Sequence, residues 1–488
     1  MNEQFKLFIL TTLTFLAFLF AVSSNYYRII YAKDVIHGTI LNLYRQCLPS
    51  NNSFTIIRPD RLQNYRRTYE TLPVDFIHAG PFLIYTAGKN EKTRHIATRI
   101  IEYTGYYRVR TLERDIMRVN GLNAGTVHAH GSVIIPRSLP PLMPDSRNRQ
   151  KPELVYTRGL YLTGSSVGSP GFLKKIHRYA GTGINTIVFD AKDITGIVNY
   201  HSSVPYAVKY NTHRKRTIDN LPRLIRELKR HNIYVIARIA VFRDHLLVKG
   251  SPSLAIMSKT RGGIWNAGSR ELWCDPTSRH VQDYNIQLAV ELAEKGVDEI
   301  QFDYIRFPTT GKISDARYRY DFGKMSREEV IAHFLERANR EISGKNVNLS
   351  IDIYGVVAWG KKVDISKTGQ QIERLAQHCD VISPMLYPSH FNDSFDGYDN
   401  PADHPYHFIS EGIRKVISLS GNRARVRPWL QAFKLRVSNY SPEYILSQVR
   451  ASDDSGGHGY LFWNASNRYD TVLDAMESIK KRDHTQDM

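Results

Sequence analysis

Asp298-Glu-Ile-Gln-Phe-Asp303-Tyr-Ile-Arg306-Phe-Pro308 joins a short apolar run to an acid, a base and aromatic rings. Read as a strand over Glu299–Phe307, it is flanked by amphipathic helical patterns at Arg279–Lys295 and Ser326–Ser343. The same alternation recurs along the chain. Further strand candidates are Leu154–Thr163, Thr186–Lys192, Tyr234–Phe242, Asn348–Trp359, Asp380–Pro388, Val426–Lys434 and Gly459–Ala465. Further helical patterns are Asp219–Lys229, with Asp219 read as the N-cap, and Ser441–Arg450. Strand and helix alternating eight times over ~320 residues predicts an α/β fold, a (β/α)8 TIM barrel. A doubly wound sheet is the alternative, but it lacks the glycine-rich first turn that would support it.

In such a barrel, sites form at the carboxyl ends of the strands, so those ends are read directly. The second strand ends in Asp190, Lys192 and Asp193, and the third carries Arg238. The fourth supplies Asp303 and Arg306, the fifth Asp352 and Tyr354, and the sixth Tyr387 and His390. The seventh gives Trp429 and Gln431, and the eighth Trp463 and Asn464. Carboxylates, an arginine and aromatic rings around one mouth suit a polyhydroxylated ligand, because ring faces stack on sugar C–H surfaces and polar forks hold hydroxyls. Trp265 and Trp273, on the long loop 243–275, are placed to cover the cleft. The first strand has no His-x-His pair for a metal site, and the last two strands are followed by no glycine-rich phosphate clamp. Neither metal nor cofactor is expected.

Outward from the barrel, the 488 residues need at least one more domain. Leu7–Val22 is sixteen residues without a charge, after Lys6 and before the small-x-small stretch Ala21-Val22-Ser23. Residues 1–23 read as a signal peptide or an uncleaved membrane anchor, and either puts the remainder outside the cytoplasm, in the envelope or beyond it. Residues 24–80 are unassigned. Residues 81–137 show a strand at Phe82–Thr86, helical faces of Ile96, Ile100 and Ile101 and of Leu112, Ile116 and Val119, a stop at Asn120-Gly121, and a closing strand before Pro136. Residues 138–153 contain Pro140, Pro141, Pro144 and Pro152 and read as a semi-rigid linker to a barrel over 154–482. Lysine and arginine number 66 against 47 acids, a net charge of +19 spread along the whole chain. Clusters such as Arg214-Lys215-Arg216 are short, so no nucleic-acid partner is expected. Cys47, Cys274 and Cys379 are too few and scattered for a disulfide framework or zinc ribbon.

Two resemblances rest on these residues. Ile116-Met-Arg-Val-Asn-Gly-Leu-Asn123 and Gly131-Ser-Val-Ile-Ile-Pro136 resemble the second half of a LysM module, a small α+β glycan-binding fold of bacterial cell walls. The first half departs from that pattern, with Gly88-Lys-Asn-Glu-Lys-Thr93 at its first turn. Residues 155–470 resemble a bacterial group of TIM-barrel glycoside hydrolases related to the α-amylase-type barrels. The motifs are Val188-Phe-Asp-Ala-Lys-Asp193, Asp298–Pro308, Ile382-Ser-Pro-Met-Leu-Tyr-Pro-Ser-His390, Pro428-Trp-Leu-Gln-Ala-Phe433 and Leu461-Phe-Trp-Asn-Ala465.

Hydrolysis of a glycosidic bond uses two carboxyl groups. The resemblance implies Asp303 as the nucleophile of the fourth strand. Strands ~4.8 Å apart bring Asp352 to ~5–7 Å of it and Asp190 to ~10 Å, so either is a candidate acid. Amylase-type barrels carry Glu on the fifth strand, where this chain has the shorter Asp352. Lys192 and Asp193 are read as orienting groups or as each other's partner, and Arg238 as the cation holding Asp303 ionised. Arg306, Tyr354, Tyr387, His390, Trp429, Gln431, Trp463 and Asn464 are the sugar-binding candidates. The expected partner is a cell-wall or extracellular polysaccharide, of peptidoglycan type or other. A non-catalytic barrel that binds glycan and a barrel lyase are the rival readings.

Overall fold

The computed structural model describes residues 76–79, 82–88, 90–123, 125–127, 132–136, 150–267, 271–319 and 324–486. The apolar run Leu7–Val22, Cys47 and most of the linker lie outside them. Among the described residues no helix is long and apolar enough to cross a membrane. The chain divides into two compact units.

In the amino-terminal unit, strands Phe76–Ala79, Phe82–Thr86 and Ser132–Ile135 form an antiparallel sheet with Phe82–Thr86 in the middle. Helices Thr93–Ile100 and Val109–Val119 follow the expected faces, with Ile96, Ile100, Leu112 and Ile116 fully buried. The strand Phe76–Ala79 falls within the stretch that the sequence left unassigned. Gly121, at φ +61°, ends the second helix in the left-handed conformation that glycine adopts freely. Asn120 ties that helix end to the last strand: its Nδ2 donates to the carbonyls of Ile116 and Ile134, and its Oδ1 accepts from Ile134 N at 2.8 Å.

The second unit is a closed parallel barrel of eight strands: β1 (Thr157–Leu162), β2 (Thr186–Lys192), β3 (Tyr234–Ala240), β4 (Glu299–Asp303), β5 (Asn348–Tyr354), β6 (Val381–Met385), β7 (Trp429–Gln431) and β8 (Gly459–Trp463). Closure is made by β8 on β1, with Leu461 opposite Gly159. The main outer helices are α1 (Phe172–Gly181), α2 (Leu221–Arg230), α3 (Arg279–Glu294), α4 (Arg327–Ser343), α5 (Ile372–Leu375), α6 (Pro405–Ser420), α7 (Pro442–Asp454) and α8 (Asp470–Gln486). Because helices cover the outside and side chains fill the inside, strands are buried on both faces. All seven residues of β2 and all seven of β3 are buried.

Alternation along the strands divides the barrel into two apolar regions. Ile187, Phe189, Val235, Ala237, Ile300, Phe302, Ile351 and Phe462 point outward and pack with the helices. Tyr161, Val188, Tyr234, Ile236, Tyr387, Trp429 and Leu461 fill the interior. A Cβ on Gly159 would lie 2.4 Å from Leu461 Cδ2, so the glycine leaves the room that Leu461 fills. Near the amino ends of the strands, Arg427 and Glu299 form a fully buried ion pair, joined by Thr157 and by Tyr234 Oη 3.2 Å from Glu299.

The N-cap of α2 is Asn220, not Asp219: its side chain accepts from Arg223 N at 3.0 Å. Pro222 in the first turn sets that start, because its ring supplies the helical φ and needs no amide partner there. The fifth strand is shorter than its apolar run. It ends at Tyr354 and continues as a 3₁₀ turn, Gly355–Trp359, whose apolar residues imitate a buried strand in sequence. Cys274 and Cys379 are buried and free.

Candidate active site

Arg238 organises the carboxyl end of the barrel. It stands inward on β3, two residues after Ile236, and its neighbours in register are Asp190 on β2 and Gln301 on β4. The length of its side chain carries the guanidinium up to the next layer. There Nη1 pairs with Asp190 Oδ1, while Nη2 and Nε donate to Asp303 Oδ2, the latter at 3.1 Å. Asp352 Oδ2 lies 3.9 Å from the same Nε. These two distances from one nitrogen keep the facing oxygens of Asp303 and Asp352 within about 7 Å of each other. Phe302 is opposite Ile351, so the acids that follow them stand at one height on adjacent strands.

Each carboxyl has its own surroundings. Asp303 accepts from Arg238 and, through Oδ1, from Tyr304 N at 2.5 Å. Asp190 accepts from Arg238 and from Tyr161 Oη at 2.5 Å, and burial raises its pKa above the usual carboxylate range. Asp352 accepts from Trp429 Nε1 at 2.7 Å through Oδ1, whereas its buried Oδ2 has no hydrogen-bond partner. Burial first and the charge of Asp303 second push Asp352 well up, against the opposite pull of Arg238 and Trp429. A buried acid pushed toward its neutral form thus faces a carboxyl group whose hydrogen-bond partners are all donors.

Aromatic rings complete the mouth. Trp463 stacks on Tyr161 at 3.9 Å, and Arg238 lies 5.2 and 5.5 Å over the two rings. Tyr387 is close enough to Asp352 and Asp303 for their charges to add to burial in raising its pKa well above normal. Arg306 stands over Trp273, Tyr304 and Tyr354. Tyr304 has φ +54°, a strained conformation for a residue with a side chain, and this turn aims its amide at Asp303.

Asp190, Arg238, Asp303, Asp352, Trp429 and Trp463 therefore meet, with Tyr387 beside them and Arg306 and Tyr354 on the rim. His390 is exposed against Tyr387 and Phe433. Gln431 and Asn464 hold loops. Gln431 accepts from Ser389 N and donates to the Phe433 and Leu435 carbonyls, and Asn464 donates to those of Ala432 and Arg468.

Lys192 and Asp193 correct the expectation. A register shift between Asp190 and Lys192 sets Lys192 opposite Ile239, on the helix side. There it pairs with Asp244 at 2.8 Å and donates to Asn285 of α3. Asp193 instead accepts from the amide and hydroxyl of Thr195. Trp265 and Trp273 are fully buried and belong to the apolar core that packs outside the strands. Tyr161 was missed; its inward position, at even spacing from Gly159, was the available signal. The left-handed turn at Tyr304 has no sequence signal, since tyrosine is not a residue that marks it.

A closed barrel with acids gathered on one arginine at the carboxyl ends of its strands holds its candidate site where barrel enzymes carry theirs. Residues 159–469 match the family described as "Putative glycosyl hydrolase domain", and the chain belongs to that family. No curated protein matches. A hypothetical protein from Ruminiclostridium thermocellum ATCC 27405 is 36% identical, over 40% of this chain and 96% of its own, with a TM-score of 0.36. The PgaB (BpsB) glycoside hydrolase domain from Bordetella bronchiseptica shares the fold at 15% identity and a TM-score of 0.50, over 66% of this chain and 98% of its own. The spore cortex-lytic enzyme SleL of Bacillus megaterium QM B1551 is 10% identical over 81% of this chain and 85% of its own, with a TM-score of 0.39.

Proposed function

We propose that the chain hydrolyses glycosidic bonds of a cell-envelope or extracellular polysaccharide, with Asp303 as the ionised nucleophile or base and Asp352 as the acid. The observation that carries this is the pair itself: two carboxyls within about 7 Å, one bound only to donors and the other pushed toward its protonated form. Retaining pairs stand ~5–5.5 Å apart and inverting pairs ~6.5–9.5 Å, so this bound is compatible with a retaining pair or a narrow inverting one. Asp190 acts through Arg238, as a positioning residue. Family membership supports the reaction class.

The nearly complete burial of the pair, with Asp303 4% and Asp352 1% exposed, favours a second reading: a barrel that binds glycan and uses the ion network for its own stability. Asparagine has almost the shape of aspartate without its charge, so Asp303→Asn should abolish turnover of a polysaccharide substrate while glycan affinity stays near wild type. If Asp352 is the acid, Asp352→Asn should be largely spared on a nitrophenyl glycoside, whose leaving group needs little protonation. Full activity in Asp303→Asn would overturn the mechanism. Several glycans bound and none cleaved by the wild type would establish the second reading.

The amino-terminal module is assigned to wall glycan on its LysM-like order and the Asn120 turn, and export on the apolar run Leu7–Val22. Retention of the full chain on insoluble peptidoglycan should persist near 1 M salt, where screening shrinks to ~3 Å. Release at that salt, together with an unrelated protein of equal charge, would leave only electrostatic attraction.

A further inference from the structure

Arg306 lies three residues beyond Asp303, on the turn that leaves β4. Its guanidinium is 5.1 Å from the Trp273 ring, 5.4 Å from Tyr304 and 5.2 Å from Tyr354. Nη1 donates to the Phe307 carbonyl at 3.1 Å and to Thr309 Oγ1 at 3.4 Å. Among the described residues no carboxylate is bonded to it, the side chain is only partly buried, and none of its nitrogens is a fully buried atom lacking a partner. Arg243 adds a second guanidinium, 5.4 Å over the same Tyr304 ring and 3.2 Å from its hydroxyl. Glu271, at 2.8 Å, neutralises Arg243. A groove lined by Ile194, Thr195, Arg243, His245, Glu271 and Leu272 opens at Arg243.

A half-buried cation without a bonded counter-ion is costly, and a ligand anion would offset that cost. Three rings already hold Arg306 in place, so little side-chain freedom remains to be lost when its planar fork meets a two-oxygen group. Tyr354, 37% exposed, offers a face to a sugar beside it.

We infer that Arg306, framed by Trp273, Tyr304 and Tyr354, forms a subsite for an oxyanion carried on a sugar, and hence that the glycan is acidic. The inference rests on the glycan-acting reading of the same mouth. Its chemistry is shared by uronate carboxylates and sulfate esters, and the test separates them.

Full-length protein carrying Asp303→Asn, to prevent turnover, would be titrated calorimetrically with an oligogalacturonate, a sulfated dextran oligosaccharide and a neutral cello-oligosaccharide at one ionic strength. At least one acidic ligand should bind more tightly than the neutral one. Arg306→Gln should weaken that acidic ligand about tenfold or more and leave the neutral one unchanged. Arg306→Lys, which keeps the charge without the fork, should recover only part of the loss. Arg340→Gln, exposed in the last turn of α4, controls for the general positive charge and should change nothing. Whichever acidic arm responds identifies the oxyanion. No acidic ligand bound, no effect of Arg306→Gln, or an equal loss in Arg340→Gln would each overturn the subsite. These outcomes are read from binding alone, so they remain distinct from a failure of wild-type turnover, which would count against the hydrolase reading.

Discussion

Asp352 is the titrating group whose behaviour most directly tests the site. Its buried Oδ2 faces Arg238 without a hydrogen bond, and burial and Asp303 both favour its neutral form. As the acid, it must be protonated to work. Turnover should therefore fall on the alkaline side as Asp352 ionises, at a pH above the ordinary aspartate value of ~3.9. In Asp352→Asn that limb should vanish from the pH profile of a nitrophenyl substrate. Stability carries the same signature. Because the folded pKa is raised, folding takes up a proton; this contribution is complete below ~3.9 and is lost as pH rises through the folded value. Denaturant melts should show Asp352→Asn gaining on wild type as pH increases, and a pH-independent difference would mean that Asp352 is not protonated. At this scale the acids were legible because short, largely apolar runs ending in Asp mark strand ends facing a mouth. Lys192 was not: period-two counting puts it on the face of Asp190, and one irregular residue in the strand reverses that face.

Among the elements, α4 shows how much of the barrel is written locally. Ser326 caps it, accepting from Glu329 N at 3.2 Å, while the Glu329 side chain accepts from Ser326 N at 2.7 Å. Both residues are visible in the sequence at capping-box spacing. Ser326→Ala should lower the thermal midpoint by about 2–4 °C, and Ser326→Asp, which also caps, should restore it. Equal melting of all three proteins would show that tertiary packing alone sets that end. The expected α3 and α4 agree closely with Arg279–Glu294 and Arg327–Ser343. Strand ends were less legible. The apolar residues after Tyr354 look the same whether they extend β5 or turn away. The turn is decided by close approach, since a Cβ on Gly355 would lie 2.2 Å from the Met385 carbonyl of β6. That contact depends on a strand thirty residues further on.

For the whole molecule, the seam between β8 and β1 decides whether the barrel exists. Gly459 sits at φ +80°, and a Cβ there would come within 2.0 Å of the Thr157 carbonyl oxygen. Gly159 faces the flexible end of Leu461 instead. Gly459→Ala should accordingly cost far more thermal stability than Gly159→Ala, because backbone cannot yield as a leucine rotamer can. Circular dichroism melts of the two variants would check this, and the reverse order would place the strain elsewhere. The seam also sets the order in which the protein can be made. Gly159 must find Leu461 across about 300 intervening residues, a closure that costs on the order of 5 kcal/mol in chain entropy. Until the eighth strand emerges during synthesis, β1 and β7 are unpaired edges of an open, curled sheet, the surface most apt to recruit another chain. A nascent polypeptide halted short of Gly459 would present both edges at once, so molecules at that stage would depend on chaperone protection until the ring can be sealed.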